Sequence, residues 1–183
     1  MSRKTYRFTL VMRMAATAAW LALAIVLGYG VFWLSKNSGQ PYGLWVEYYG
    51  GEQFNTPLAR RAELQVSKNY GRGHPAFGVP KDRFSDRWTG WLLVPETAEY
   101  AFCAFSDDGV RLYLDDRVVI DSWQLGENRA HGNVRLEAGY HALRIEHFNA
   151  GRQAFLYVEW CGGPIPSSSP LGIPYVRKQR PKP

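Results

Sequence analysis

Acidic residues are missing from both ends of this 183-residue chain. Residues 1–34 carry Arg3, Lys4, Arg7 and Arg13 and no acid. Residues 177–183 carry Arg177, Lys178, Arg180 and Lys182 and again no acid. The formal charge of +6 is thus an end effect. The ends hold eight of the 22 basic residues, which leaves 14 for residues 35–176 against all 16 acids. A slightly acidic body lacks the concentrated basic footprint of a nucleic-acid surface, so no nucleic-acid partner is expected. Basic ends instead serve topology or contacts with anionic lipid. Cysteine is scarce as well. Cys103 and Cys161 are too few for a disulfide scaffold, and their spacing matches no zinc motif. They either pair once in an oxidising compartment or stay as two separate buried thiols. No Ser–His–acid or Cys–His signature stands out. His74, His131, His141 and His147 show no metal-ligand spacing. The chain is read as a non-enzyme.

The longest apolar run, Met14 to Leu34, holds 21 residues without a charge. About 20 apolar residues of helix cross a hydrocarbon core roughly 30 Å thick, and a helix satisfies its own backbone groups in lipid. Phe32 and Trp33 sit where an interfacial aromatic belt belongs, and four basic residues precede the span. The expectation is a single-pass membrane protein. Residues 1–13 form a cytoplasmic basic N-terminus, 14–34 a transmembrane helix and 35–42 a linker. The C-terminal body is then periplasmic or extracellular. A cleaved signal peptide is the competing reading, but the apolar core is long for one and the small-residue site near Gly28 and Gly30 is poor.

Aromatic residues make up 15% of the chain, which favours strands or a stacking surface. From Gly43 onward short runs alternate between two faces. Tyr100, Phe102 and Ala104 share one face, while Ala101, Cys103 and Phe105 share the other. The spacing predicts strands over 44–49, 88–94, 100–105, 110–114, 118–120, 134–136, 141–148 and 154–160. Asp115-Asp116 reads as a two-residue hairpin turn. Residues 56–82 are less regular and read as a loop with a strand or short helix. No internal repeat and no convincing amphipathic helix is present. The expected fold is all-β, an antiparallel sandwich over 43–165, followed by an extended Pro-rich basic tail over 166–183.

FSDRWTGWL (84–92), EYAFCAFSDDGVRLYLDDRVVID (99–121), LEAGYHALRIEHFN (136–149) and AFLYVEW (154–160) occur in the order and spacing of the protective-antigen-type domain, the PA-fourteen family. GLWVEYYGGEQF resembles that family's first strand. The resemblance covers roughly residues 43–165. It implies a β-sandwich, often carbohydrate-binding. Two departures stand out: Ala98-Glu99 replaces a usual Gly, and Asp86 replaces a more usual apolar residue. Neither is expected to touch the site.

Asp107-Asp108-Gly109 resembles the paired-aspartate loop with which fungal adhesin members of the family bind calcium, the two aspartates joined there by a cis peptide. Asn149 stands where the family's third side-chain ligand lies. Calcium takes six to eight hard oxygen ligands. The resemblance therefore implies a metal set of Asp107, Asp108 and Asn149, helped by backbone carbonyls near Gly151 and Gln153. Open positions are left for sugar hydroxyls. Arg152, Gln153 and Trp123 are expected to contact the glycan by hydrogen bonding and stacking. The competing reading of Asp107-Asp108-Gly109 is a metal-free turn. Trp88, Trp160, Phe102 and Tyr100 are read as core aromatics, and Arg87 as the partner of a buried acid.

Two functions follow. One is a membrane-anchored, calcium-dependent, lectin-like module for a glycan or cell-envelope polysaccharide. The other is a non-catalytic partner-binding or structural subunit of an envelope assembly, with a membrane protein complex as partner and no metal.

Overall fold

The structure is a computed structural model that describes residues 42–181. The expected membrane helix over 14–34 lies outside the described residues, and no helix among those described is long and apolar enough to cross a membrane.

Twelve strands follow in order: β1 (Leu44–Gly50), β2 (Thr56–Glu63), β3 (Ser67–Gly71), β4 (Phe84–Val94), β5 (Ala98–Asp107), β6 (Val110–Leu114), β7 (Arg117–Ser122), β8 (Glu127–Leu136), β9 (Gly139–Asn149), β10 (Ala154–Gly162), β11 (Ser169–Pro170) and β12 (Val176–Arg177). Seven form one sheet in the order β2-β1-β4-β9-β6-β7, with β12 also pairing to β4. Five form the second in the order β11-β10-β5-β8, with β3 also pairing to β10. Every pairing is antiparallel. The inner faces of the sheets share a core in which Trp88, Trp160, Tyr48, Tyr100, Phe84 and Phe102 are fully buried. Each large apolar side chain so buried contributes about 1.5–3 kcal/mol relative to leaving it in water.

The alternation read in β5 holds. Tyr100, Phe102, Ala104 and Ser106 face inward, and Cys103, Phe105 and Asp107 face outward. Asp115 and Asp116, both at positive φ, turn β6 into β7 in two residues, the backbone a type I′ hairpin needs. Cys103 and Cys161 form a disulfide on the outer face between β5 and β10, with Cα atoms 5.7 Å apart. Arg87 pairs with Glu146, 3.1 Å away, across β4 and β9.

Three expectations need correction. Residues 56–82 contain two strands, β2 and β3, and no helix. β8 begins at Glu127, seven residues before the expected start. Its inward positions include Asn128 and Gly132, which carry no apolar signal. A Cβ at Gly132 would lie 2.0 Å from the Val119 carbonyl, so only glycine lets β7 pass this close. Finally, the stretch after 165 is no loose tail. Ile165, Leu171 and Val176 are buried, and β11 and β12 each join a sheet. Tyr175 packs on Trp160 with ring centroids 5.9 Å apart. Gly90 makes room for this return, since a Cβ there would sit 2.5 Å from the Arg177 carbonyl. Proline, serine and basic residues dominate the composition of this stretch and mask its apolar anchors.

The C-terminal stretch therefore belongs to the folding unit. Leu171→Ala is expected to lower unfolding free energy by about 2–5 kcal/mol in denaturant titration. An unchanged midpoint would show the stretch to be an appendage.

Candidate functional site

Four loops meet at one end of the sandwich. Asp107–Gly109 joins β5 to β6, Trp123–Gly126 joins β7 to β8, Ala150–Gln153 joins β9 to β10, and Arg72–Arg83 joins β3 to β4. Between the first three lies a cleft of about 480 Å³ lined by Asp107, Asp108, Gly126, Glu127, Gly151 and Arg152, among others.

The Asp107–Asp108 peptide is cis, as the resemblance implies. The loop is held like an added strand. Asp108 N donates to Phe148 O at 3.1 Å, and Phe148 N donates to Gly109 O at 3.1 Å. Gly109 is required here because a Cβ would meet the Phe148 ring at 2.3 Å. Below it, Ser106 Oγ and Asn128 Nδ2 both donate to Asp108 O, at 2.6 and 3.0 Å. Asn128 Nδ2 also donates to Gly126 O at 2.6 Å, tying in the β7–β8 loop.

The two aspartates differ. Asp108 is buried at 5% exposure. Its Oδ1 accepts from Gly126 N at 2.5 Å and its Oδ2 from Ala150 N at 2.7 Å, so one carboxylate staples two loops. Asp107 is half-buried and lines the cleft. Its carboxyl is pushed above the usual range by burial, then by the neighbouring carboxylates of Asp108 and Glu127. Glu127 stands opposite Asp107 in the β5–β8 register.

Beneath the loop runs a buried relay. Trp88 Nε1 donates to Asp86 Oδ1 at 2.5 Å. Asp86 Oδ2 lies 2.9 Å from His147 Nδ1, and His147 Nε2 lies 3.1 Å from Asp107 O. Both imidazole nitrogens face oxygens able to accept, an arrangement that favours the imidazolium over the neutral ring. Burial is the largest influence and works against that charge, but the Asp86 carboxylate, the Asp107 carbonyl and the Asp108 carboxylate together outweigh it, and the His147 pKa is raised. The expectation that Asp86 stands apart from the site is therefore corrected. It reaches the Asp107 carbonyl through one side chain.

Asn149 is fully buried at the same end. Its Nδ2 donates to Lys81 O at 3.4 Å, and its Oδ1 accepts from Gly151 N at 3.2 Å. The structure thus brings Asp107, Asp108, the Asn149 loop and Arg152 together. Gln153 is exposed and does not line the cleft. Nor does Trp123, whose ring packs on Phe148 at 4.7 Å and lies under the Arg111 guanidinium at 4.4 Å. Sequence reasoning missed Glu127, Asn128 and Lys81, which sit in segments without a strand signal. A carbonyl and a cross-strand position become site features only once the loops are folded.

Among the described residues, no group of three or more His, Cys, Asp or Glu side chains could hold a metal ion. The side-chain oxygens that line the cleft come from Asp107, Asp108 and Glu127, while the Asn149 carboxamide at the same end is fully buried. Hard oxygens beside an under-neutralised carboxyl fit the coordination chemistry of calcium.

An all-antiparallel sandwich with its polar cleft built from end loops defines a loop-presenting β-sandwich module. The chain belongs to the PA14 domain family, whose model matches residues 40–169. It is 30% identical over 121 residues to the anti-sigma-I factor RsgI3 of Acetivibrio thermocellus, covering 64% of this chain and 19% of that protein. An anti-sigma factor domain-containing protein from Clostridium clariflavum superposes with a TM-score of 0.72 at 27% identity, over 77% of this chain and 48% of that one. The epithelial adhesin 9 A domain of Candida glabrata, in complex with Galβ1-4GlcNAc, shares the fold. Its TM-score is 0.62 at 10% identity, covering 76% of this chain and 90% of that one.

One denaturation series separates the carboxylates. Asp86→Asn breaks a buried ion pair and is expected to cost about 3–5 kcal/mol. Asp108→Ala removes two part-buried N–H hydrogen bonds to a carboxylate and is expected to cost about 1.5–3 kcal/mol for each. Asp107→Asn relieves repulsion and is expected to leave metal-free stability unchanged or higher. Equal losses at Asp107 and Asp108 would refute this division.

Proposed function

We propose that this protein is a calcium-dependent, lectin-like module that displays its sandwich domain outside a membrane and catalyses no reaction. One observation carries the reading: Asp108 Oδ2 accepts from Ala150 N, so the paired-aspartate loop and the Asn149 loop share one cleft. Asp107, Asp108 and Asn149 would hold the ion. When bound, calcium offers open coordination positions to neighbouring sugar hydroxyls. Asp108 fixes the spacing of the loops, Asp107 supplies the carboxylate left facing the cleft, and Arg152 supplies a donor at the rim. The glycan held by the Candida glabrata adhesin domain supports a carbohydrate or envelope polysaccharide as ligand. Residues 14–34 are the single span, with 1–13 cytoplasmic and the domain periplasmic or extracellular.

A second reading is favoured by the anti-sigma-factor relatives. In it the domain is a non-catalytic, metal-free, partner-binding part of a regulatory membrane complex. It expects a complex that survives chelation.

The test uses the full chain in detergent, followed by thermal unfolding. Calcium at a hundred times its Kd should stabilise the folded state by about 2.7 kcal/mol. The shift should vanish with chelator and in Asp107→Ala, and binding on a glycan array should vanish with it. Identical melting with calcium and with chelator would overturn the calcium reading. The anchor is tested apart. The protein should stay in the membrane pellet after alkaline carbonate extraction, and its release would overturn the span.

A further inference from the structure

The outer face of the second sheet carries another concavity. A groove of about 480 Å³ runs across β5, β8 and β10, walled by Phe105, Tyr157, Arg129, His131 and Glu159 over a floor at Cys103. The strand register places it. Cys103 stands opposite Glu159 and His131, Phe105 opposite Tyr157 and Arg129, and Asp107 opposite Phe155 and Glu127. These are three successive rows on one face, each about 7 Å from the next. Asp107 and Glu127 of the last row line the calcium-type cleft, which places groove and cleft end to end along β5 and β8.

The chemistry of the groove suits a sugar chain. Phe105 and Tyr157 lie nearly parallel, at 19°, and Phe155 packs on Phe105 at 4.7 Å. The Tyr157 ring, on which no cation is stacked among the described residues, can take the C–H face of a pyranose. The Arg129 guanidinium stands 4.6 Å over Phe105. Among the described residues, Arg129, His131, Glu159 and the Tyr157 hydroxyl have no side-chain hydrogen bond or ion pair. The other sheet's outward aromatics are different. Tyr113 lies under Arg144, which is paired with Glu146, and Trp123 lies under Arg111, which is paired with Asp121. At Tyr113 and Trp123 the cation is thus spent on an acid, whereas at the groove the donors and acceptors beside the rings are not. The groove is centred on β5, both of whose edges are already paired. It offers no backbone edge to a peptide strand.

We propose that this groove is a second glycan subsite continuous with the cleft, so that the ligand is an internal stretch of a linear polysaccharide and not a single terminal sugar. The inference rests on the glycan-binding reading above.

Calorimetry of the full chain in detergent, with calcium, tests it. The probes are β-linked hexasaccharides of glucose, xylose, mannose and galactose, with the matching disaccharides. At least one hexasaccharide should bind about tenfold or more tighter than its disaccharide, a gain of 1.4 kcal/mol or more. Tyr157→Ala, and independently the exposed Arg129→Ala, should abolish that gain without changing disaccharide affinity. Asp107→Ala and chelator should weaken both probes. Binding that needs Asp107 but ignores length overturns the groove and leaves the calcium reading standing. Length-dependent binding that needs Tyr157 but ignores chelator supports the groove and overturns the calcium reading. No binding by any probe overturns both. A change of oligomeric state in the groove variants, without change in sugar binding, overturns the groove in favour of a protein interface.

Discussion

Asp86 and His147 are both fully buried and face each other across β4 and β9 at 2.9 Å, where water cannot screen the attraction of an ion pair. Removing two ions from water costs several kcal/mol each, and their attraction repays this only when every remaining hydrogen-bond valence is met. Here the valences are met from two directions. Trp88, in the centre of the core, donates to Asp86, and the Asp107 carbonyl accepts from His147. The pair therefore does more than hold two strands. It links the most buried layer of the sandwich to the backbone of the loop that carries the paired aspartates. A displaced loop would leave a buried imidazolium proton without an acceptor, so the loop position is set by the core.

With that loop placed, the division between its two carboxylates follows. Asp108 lies where two other loops pass, and both its oxygens are used by their backbone N–H groups. Asp107 lies one residue earlier on the outward face of β5, where alternation turns it to the cleft and beside Glu127. Chain geometry thus makes one aspartate a structural staple and its neighbour an under-compensated charge. A cation at the cleft would relieve the second while sharing the oxygens of the first.

This explains what was and was not legible in the sequence. Strands such as β5, β6 and β10 announce themselves because large apolar residues fill most of their inward positions. β8 does not, because its inward positions go to Asn128, which braces the loop, and Gly132, which admits β7. The strand was hidden by the residues that position the site. Asp86 stands out as a departure from the family pattern, yet its partner lies 61 positions away, a distance in sequence that only the β4–β9 register closes. The C-terminal strands were hidden for another reason. Three apolar anchors are spread among prolines, serines and basic residues, so no window carries a period.

The basic residues of that C-terminal stretch bear on how a sandwich this rich in aromatics can show rings to water. Lys178 and Arg60 cover Trp45, Arg180 covers Trp91, and Arg177 covers Tyr42. Each cation adds about 0.5–1 kcal/mol at an exposed ring, and its alkyl stem shields apolar surface. The positive charge of the C-terminus, which in the bare sequence suggests lipid or topology, is in its described part spent on the domain's own surface. Covering one sheet in this way separates its rings from contact with partners. The opposite sheet has Arg129 over Phe105, but no cation is stacked on Tyr157 among the described residues. Aromatic surface is thus sealed on one side of the molecule and kept accessible on the side that leads into the acidic cleft.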